Sequence, residues 1–353
     1  GLKGRHHEAR EAPCAGSRTV GYGYVVDRVG AHRCRRRRDP RCRMSDLRVL
    51  SLGGGTQSCA LALMSAAGEL PKLDHIIFAD TQGELPETYA YIDYMRPILA
   101  AAGIPLHVVT AGSLEAALLT TEPTSSNPTP PAHVINPDGT KGRIGAYRCS
   151  FNYKRRIIER KVKQLCGGRG AWKLADVEQW IGFSSDEAGR MKDADGCRCG
   201  HKRNKHPEGH ACEKCKCTGY STWQTNRWPL VEMRMRRDDT IRWFGANGHP
   251  TPPRSACWFC PNSGNDRWQS LKVNKPDLFA RAVHLDVTIR GGGGFNNRGS
   301  QPFRGQLFLH GSCTPLDEAD LRTARQVKID GGQGTFWDDD ELAMDCSAGV
   351  CFT

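Results

Sequence analysis

Three short apolar runs, each set off by polar or glycine-rich turns, constrain this chain more than any other feature. L-R-V-L-S-L over 47–52 leads through G-G-G-T-Q-S into an Ala/Leu-rich helix at Ser58–Ala67. D-H-I-I-F-A over 74–79 is a second strand, ending at Asp80-Thr81 and followed by a helix over Glu87–Ala102. P-L-H-V-V-T over 105–110 is a third. Strands alternating with helices at this spacing imply parallel βαβ units, which bind ligands at the carboxyl ends of their strands. The triple glycine and Asp80-Thr81 both fall at such ends. A glycine run there has two readings: a tight turn, or a cradle whose backbone N–H groups meet an anion at a helix N-terminus.

Further along, residues 121–145 are rich in Pro, Ser, Thr and Asn and read as a loop. Asn152–Leu165 is a basic amphipathic helix, Asp176–Phe183 another strand, and Arg236–Asn247 and Asp266–Val273 two more helices. Pro252–Pro261 is a Pro/Cys turn, and 291–306 a Gly/Asn/Arg-rich loop. Residues 192–222 are Cys/His-rich, and too short and polar for an apolar core. The expected organisation is a basic extension over 1–43, a nucleotide-binding domain over 44–290 containing the 192–222 insertion, and a Cys-containing tail over 291–353.

At 353 residues the chain can bury a substantial core. No run of about 18 apolar residues is present, so no membrane span is expected, and no apolar leader segment opens the chain. The 16 cysteines cluster in C-x-C and C-x-x-C spacings. In an enzyme-sized chain that favours metal binding in a reducing, cytoplasmic compartment over a disulfide scaffold. The net charge of +12 is unevenly spread: residues 1–43 hold twelve Lys/Arg against four Asp/Glu, which leaves +4 for 44–353. Met44 stands directly before the first strand, so 1–43 reads as a disordered extension outside the natural product. A nucleic-acid-binding arm is the alternative reading of that stretch.

Six stretches in order carry a resemblance: G-G-G-T-Q-S at 53–58, F-A-D-T-Q-G-E-L-P-E-T at 78–88, Y-R-C-S-F-N-Y-K at 147–154, I-G-F-S-S-D-E-A-G-R at 181–190, W-P-L-V-E-M at 228–233 and A-C-W-F-C-P at 256–261. Together they resemble the phosphoadenosine-phosphosulfate (PAPS) reductase-like family, within the PP-loop, adenine-nucleotide alpha-hydrolase-like group. The resemblance runs from about Val49 to about Phe279. It implies a doubly wound, mostly parallel five-stranded α/β sheet with helices on both faces, here with a metal-binding insertion. It also implies that Gly53, Gly54, Gly55, Thr56, Gln57 and Ser58, with Ser51 before them, wrap a nucleotide's phosphates. Asp80 and Thr81 would sit beside the adenosine or phosphate end, and Gly182 and Arg190 in the turn after a later strand. Arg148, Lys154 and Arg155 would clamp a phosphate or sulfate, a solvated basic helix face being the alternative. Asp186 and Glu187 match the same turn as Arg190, and an i, i+3 salt bridge is the local alternative.

Two departures divide the family's branches. Its pyrophosphatases carry S-G-G-x-D-S, whose carboxylate helps hold Mg²⁺; here Gln57 takes that place, and Asp80 or Glu84 would have to substitute. Its reductases carry a C-terminal E-C-G-L-H; here the tail reads M-D-C-S-A-G-V-C-F-T. The resemblance places Asp80 and Cys346 as the candidate catalytic residues.

The stretch from Cys197 to Cys217 holds five Cys and three His in 21 residues. That supply suits tetrahedral Zn²⁺, and a metal would let a polar insertion fold without a core. The expected ligands are Cys197, Cys199, Cys212 and Cys215, with Cys217 or His206 as substitutes and a reduced thiol loop as the alternative. Cys257 and Cys260 form a separate, Pro-bracketed C-x-x-C that needs remote partners, for which Cys149, Cys346 and Cys351 are candidates. By resemblance this second site could hold an iron–sulfur cluster; a redox dithiol and a structural zinc clip are the other readings.

These features point to an adenine-nucleotide-binding enzyme using ATP or PAPS, either a reductase-like oxidoreductase served by a thioredoxin-like donor or an ATP-pyrophosphatase-type transferase. The alternatives are an ATP-using component of DNA or RNA modification, of phosphorothioation or thiolation type, and a catalytically inactive nucleotide-binding module.

Overall fold

Strand β1 (Leu47–Leu52) is the centre of the main sheet, and its sequence shows why: Val49 and Leu50 are both fully buried, on opposite faces of the strand. The computed structural model describes residues 47–120, 131–144, 148–206, 210–212, 214–215, 217–290 and 304–330. All lie in the unit Arg43–Thr353; the basic stretch 1–43, Cys346 and Cys351 are outside the described residues.

After β1 come α1 (Thr56–Ala67), β2 (His75–Asp80), α2 (Pro86–Ala101), β3 (Leu106–Thr110) and α3 (Leu114–Leu119). A small hairpin follows, β4 (His133–Ile135) and β5 (Lys141–Arg143), then α4 (Arg156–Leu165), β6 (Val177–Ile181) and β7 (Gln224–Arg227). The described residues continue with α5 (Pro229–Glu232), α6 (Arg237–Ala246), α7 (Asn265–Asn274), α8 (Pro276–Arg290), β8 (Gln306–Phe308) and α9 (Ala324–Asp330).

The main sheet has the order β3-β2-β1-β6-β7, and every pairing is parallel. The α/β, doubly wound, five-stranded arrangement expected from the sequence is therefore present. Leu50 and Leu52 pack beneath α1, α2 and α6 with Leu61, Met95 and Phe244. Val49 and Ile77 face the other side, against Ile158 and Val162 of α4 and Trp223. Helix α1 ends where Gly68 enters the left-handed region at φ 80°, its N–H returning to the Met64 and Ser65 carbonyls. The fifth strand, Q-T-N-R, has no apolar run to announce it. It is a strand because β6 presents an open edge that pairs Val177 with Gln224 and Trp180 with Arg227.

A second core joins α3, α7 and α8 to an antiparallel sheet of order β5-β4-β8. Within the stretch read from the sequence as C-terminal loop and tail, Leu307, Leu309, Leu316 and Leu321 are buried in this core. Asp286 of α8 is fully buried and holds the layers together. Its carboxylate accepts from the Leu309 N–H at 2.7 Å, the Leu316 N–H at 3.2 Å and Arg290 Nη2 at 2.6 Å.

Four histidines in these layers carry a pH dependence. His75 and His107 face each other across β2 and β3 at 3.2 Å. His133 contacts the Pro261 carbonyl, and His310 lies between Ser312 and Asn265. Burial pushes all four below the ordinary value of 6.5. A depressed histidine pKa means that the unfolded chain binds more protons, so stability is greatest above 6.5 and falls as pH drops below it. Urea midpoints should hold between about pH 7 and 8 and decline below about 6.5; a midpoint that rises on acidification from pH 7 to 6 would contradict this assignment.

Candidate nucleotide cleft and cysteine sites

The carboxyl ends of β1 and β6 open into a cleft of about 680 Å³. Its floor carries Ser51, Gly53, Gly55, Gln57, Ser58 and Gly182. Gly55 precedes α1 in extended conformation, and no side chain caps the helix there. The first-turn N–H groups of this 12-residue helix therefore face the cleft end of the fold, where they favour an anion. The chain before α4 contributes the wall. Phe151–Arg155 forms one π turn, a distortion often found at functional sites, and carries Phe151, Lys154 and Arg155 into the lining.

The glycines divide by role. Gly54 has φ +82°, and a Cβ there would lie 2.9 Å from Thr88 Cγ2. Gly54 is not among the lining residues; turn geometry and packing require it, so the expectation of close ligand approach rests on Gly53 and Gly55. Gly182 does line the cleft, and a Cβ on it would fall 2.7 Å from the Ser58 nitrogen and 2.8 Å from its Cα. The Ser58 hydroxyl is used within the loop, accepting from Gly53 N–H at 3.1 Å and donating to the Gly55 carbonyl at 3.2 Å. Thr56 is buried and outside the lining. Ser51 accepts a hydrogen bond from Gln179, a lining residue that no motif had singled out.

Charge is partly neutralised from within. Lys154 Nζ lies 3.0 Å from Glu84 Oε1, a side chain with no exposure at all. Arg190 pairs with Glu187 and also lies 4.5 Å over the Phe183 ring. The Gln57 amide donates to Glu187 Oε2 at 3.0 Å. Arg155 and Lys192 line the cleft with no carboxylate partner among the described residues. Arg148 is exposed and outside the lining.

Asp80 takes the turn role. Its Oδ1 accepts from the Gln82 N–H at 2.7 Å and from Tyr89 Oη at 2.8 Å, and it does not line the cleft. Glu84 is likewise outside the lining.

A second, smaller cavity of about 50 Å³ brings Cys149, Cys257 and Cys260 together with Thr81. Thr81 Oγ1 is 3.2 Å from Cys257 Sγ. The C-x-x-C turn is fixed on the β2–α2 loop, Trp258 N–H donating to the Gly83 carbonyl at 2.8 Å and Glu84 bridging Cys257. A Cβ on Gly83 would lie 2.7 Å from Phe259 Cε1, so any larger residue there would force the buried Phe259 ring to shift. Ser150 and Lys154 line both this cavity and the large cleft. The two sites thus share these two lining residues, which no sequence spacing announced.

The insertion brings its ligand atoms together as well, with one change of membership. Those of Cys199, His201, Cys212 and Cys215 all lie within 4.8 Å of one another, and so do those of Cys197, Cys199 and His206. His201 thus stands in the four-residue group where Cys197 was expected; the C-x-C-x-H spacing is the signal that could have found it. Cys217 is outside both groups. Its Sγ accepts from the Cys212 N–H at 3.2 Å, which holds this thiol below the ordinary range. Cys59, Cys166 and Cys313 are buried thiols pushed above theirs by desolvation, as suits core packing. No described helix is long and apolar enough to cross a membrane.

No family model matches the chain, and no curated protein matches it. Among solved structures it is similar to the phosphoadenylyl-sulfate (PAPS) reductase from Candida auris in a phosphate complex. The identity is 12%, over 58% of this chain and 74% of that one, with a TM-score of 0.30. A likeness that loose carries no argument, and the fold stands on the strand order itself.

Proposed function

We propose that this chain is an adenine-nucleotide-binding enzyme that carries out sulfur chemistry at Cys149, Cys257 and Cys260, beside the nucleotide. The shared wall carries the proposal: Ser150 and Lys154 face the cleft on one side and the cysteine cavity on the other. The glycine turn and the uncapped α1 N-terminus receive the phosphates, Arg155 and Lys192 add positive charge, and Gln179 lines the floor. Three thiols around one cavity suit an iron–sulfur cluster or a thiophilic metal ion. Such a group would supply electron transfer or a soft-ligand site when bound. Lys154, held by buried Glu84, keeps one cation fixed between the two cavities.

Calorimetry with ATP and with PAPS tests the nucleotide half of this reading. Arg155→Ala and Lys192→Ala should each weaken binding about tenfold, equivalent to ~1.4 kcal/mol, without altering the fold. If the wild-type chain binds neither nucleotide, the proposal fails. The proposal extends to Zn²⁺ in the insertion at Cys199, His201, Cys212 and Cys215, a thiolate and imidazole set of tetrahedral kind.

A second reading, with DNA or RNA as the sulfur acceptor, is favoured by one observation. Lys192 through Gly196, the entry to the basic insertion, form part of the cleft rim. Binding to either polymer that weakens steeply with salt would support it.

A further inference from the structure

We propose that the insertion holds two metal ions, bridged by the Cys199 thiolate. This rests on the reading of the insertion as a zinc site and goes beyond the single ion it requires. Two imidazole nitrogens approach Cys199 Sγ: His201 Nδ1 at 3.5 Å and His206 Nε2 at 3.4 Å. Zn–S and Zn–N bonds of about 2.3 and 2.0 Å at a tetrahedral angle set an S···N edge of about 3.5 Å. Both approaches have that edge length, and so does the 3.3 Å between Cys212 Sγ and His201 Nδ1. A protonated thiol could serve both rings only by donating to His206 Nε2 and accepting from His201 Nδ1. A thiolate sulfur has lone pairs for two ions.

The two histidines fall in separate ligand groups that share only Cys199, so one ion cannot take both. The first ion takes Cys199, His201, Cys212 and Cys215. The second takes Cys197, Cys199 and His206, with its fourth position left for water or a ligand.

Cys197 and His206, outside the four-residue group, are only 2% and 4% exposed and stand beside Cys199, with Cys197 Sγ also 3.8 Å from the Gly219 carbonyl. The His206 ring is also oriented for ligation, because its Nδ1 lies 3.0 Å from the His210 carbonyl. That contact sets the tautomer leaving the Nε2 lone pair toward Cys199. Backbone N–H groups support a thiolate in each group, Ser221 N–H to Cys197 Sγ and Lys214 N–H to Cys212 Sγ, both at 3.4 Å.

The test uses the full chain loaded with ¹¹³Cd²⁺. Cadmium NMR should show, apart from any uncoupled signal from the Cys149, Cys257 and Cys260 cavity, two resonances that split each other through the shared sulfur, a coupling that needs no variant to observe and that disappears in Cys199→Ser. By elemental analysis His206→Ala, shown folded by circular dichroism, should lose one metal equivalent relative to wild type. Absence of cadmium–cadmium coupling in the wild type, or unchanged metal content in His206→Ala, would overturn the bridged pair. If the double variant Cys212→Ser, Cys215→Ser loses metal while His206→Ala does not, the single-ion reading stands and the bridge is wrong. If neither loses metal, both readings fall.

Discussion

Replacing Glu84 with alanine should lower the unfolding free energy by about 3–5 kcal/mol, the cost of leaving one partner of a buried ion pair uncompensated. Glu84 has no exposed side-chain surface, and it serves two neighbours in different directions. Lys154 Nζ lies 3.0 Å from Oε1, and Ser255 Oγ donates to Oε2 at 3.0 Å. The Ser255 hydroxyl, with one hydrogen to give, shares it between that oxygen and the Gly53 carbonyl in the glycine turn. The carboxylate therefore ties together the turn, the wall shared by the two cavities, and the segment that leads into the C-x-x-C. Glu84→Gln keeps an acceptor for Ser255 and loses only the charge facing Lys154, so it should fall between wild type and alanine. Urea unfolding measures both. A loss below about 1 kcal/mol for Glu84→Ala, the range of exposed pairs, would show that Lys154 finds solvent or another partner at no cost.

Gly182→Val should separate binding from folding less cleanly but more informatively. The Cβ alone would sit 2.7 Å from backbone nitrogen and 2.8 Å from Cα of Ser58, and backbone cannot swing aside as a side chain can. The first turn of α1 must shift, at an overpacking cost of about 1–3 kcal/mol. Because that turn presents the N–H groups assigned to the phosphates, nucleotide affinity should fall by roughly 30-fold, the equivalent of about 2 kcal/mol. Gly189→Ala is the control for stability, since a Cβ there meets nothing within 4 Å. Unaltered nucleotide affinity in a folded Gly182→Val variant would remove the α1 N-terminus from the binding site.

The sequence by itself determined the frame. Apolar runs at 47–52 and 74–79 fold as buried parallel strands, the run at 105–110 pairs as an edge strand with no buried residue, and an Ala/Leu helix directly after a glycine turn packs on the sheet. The cysteine spacing likewise favoured a metal-type cluster over a reduced thiol loop, because 21 residues so polar have no core to fold around. What the sequence left open was whatever depends on distant segments meeting. The polar strand Gln224–Arg227 exists only through the edge that β6 offers. Gly54 reads in the sequence as a phosphate contact, and its φ and the nearby Thr88 methyl show that the turn and its packing also demand glycine there. Asp80, attractive at a strand end, is drawn into its own turn by the Gln82 N–H and the Tyr89 hydroxyl. Glu84 and Lys154 are 70 residues apart, and Thr81 and Cys257 are 176 apart. No local periodicity encodes such meetings, since they are set by how the β2–α2 loop, the π turn before α4 and the Pro/Cys turn converge at the carboxyl edge of the sheet. That convergence, decided by the tertiary structure alone, places the three cysteines against the cleft.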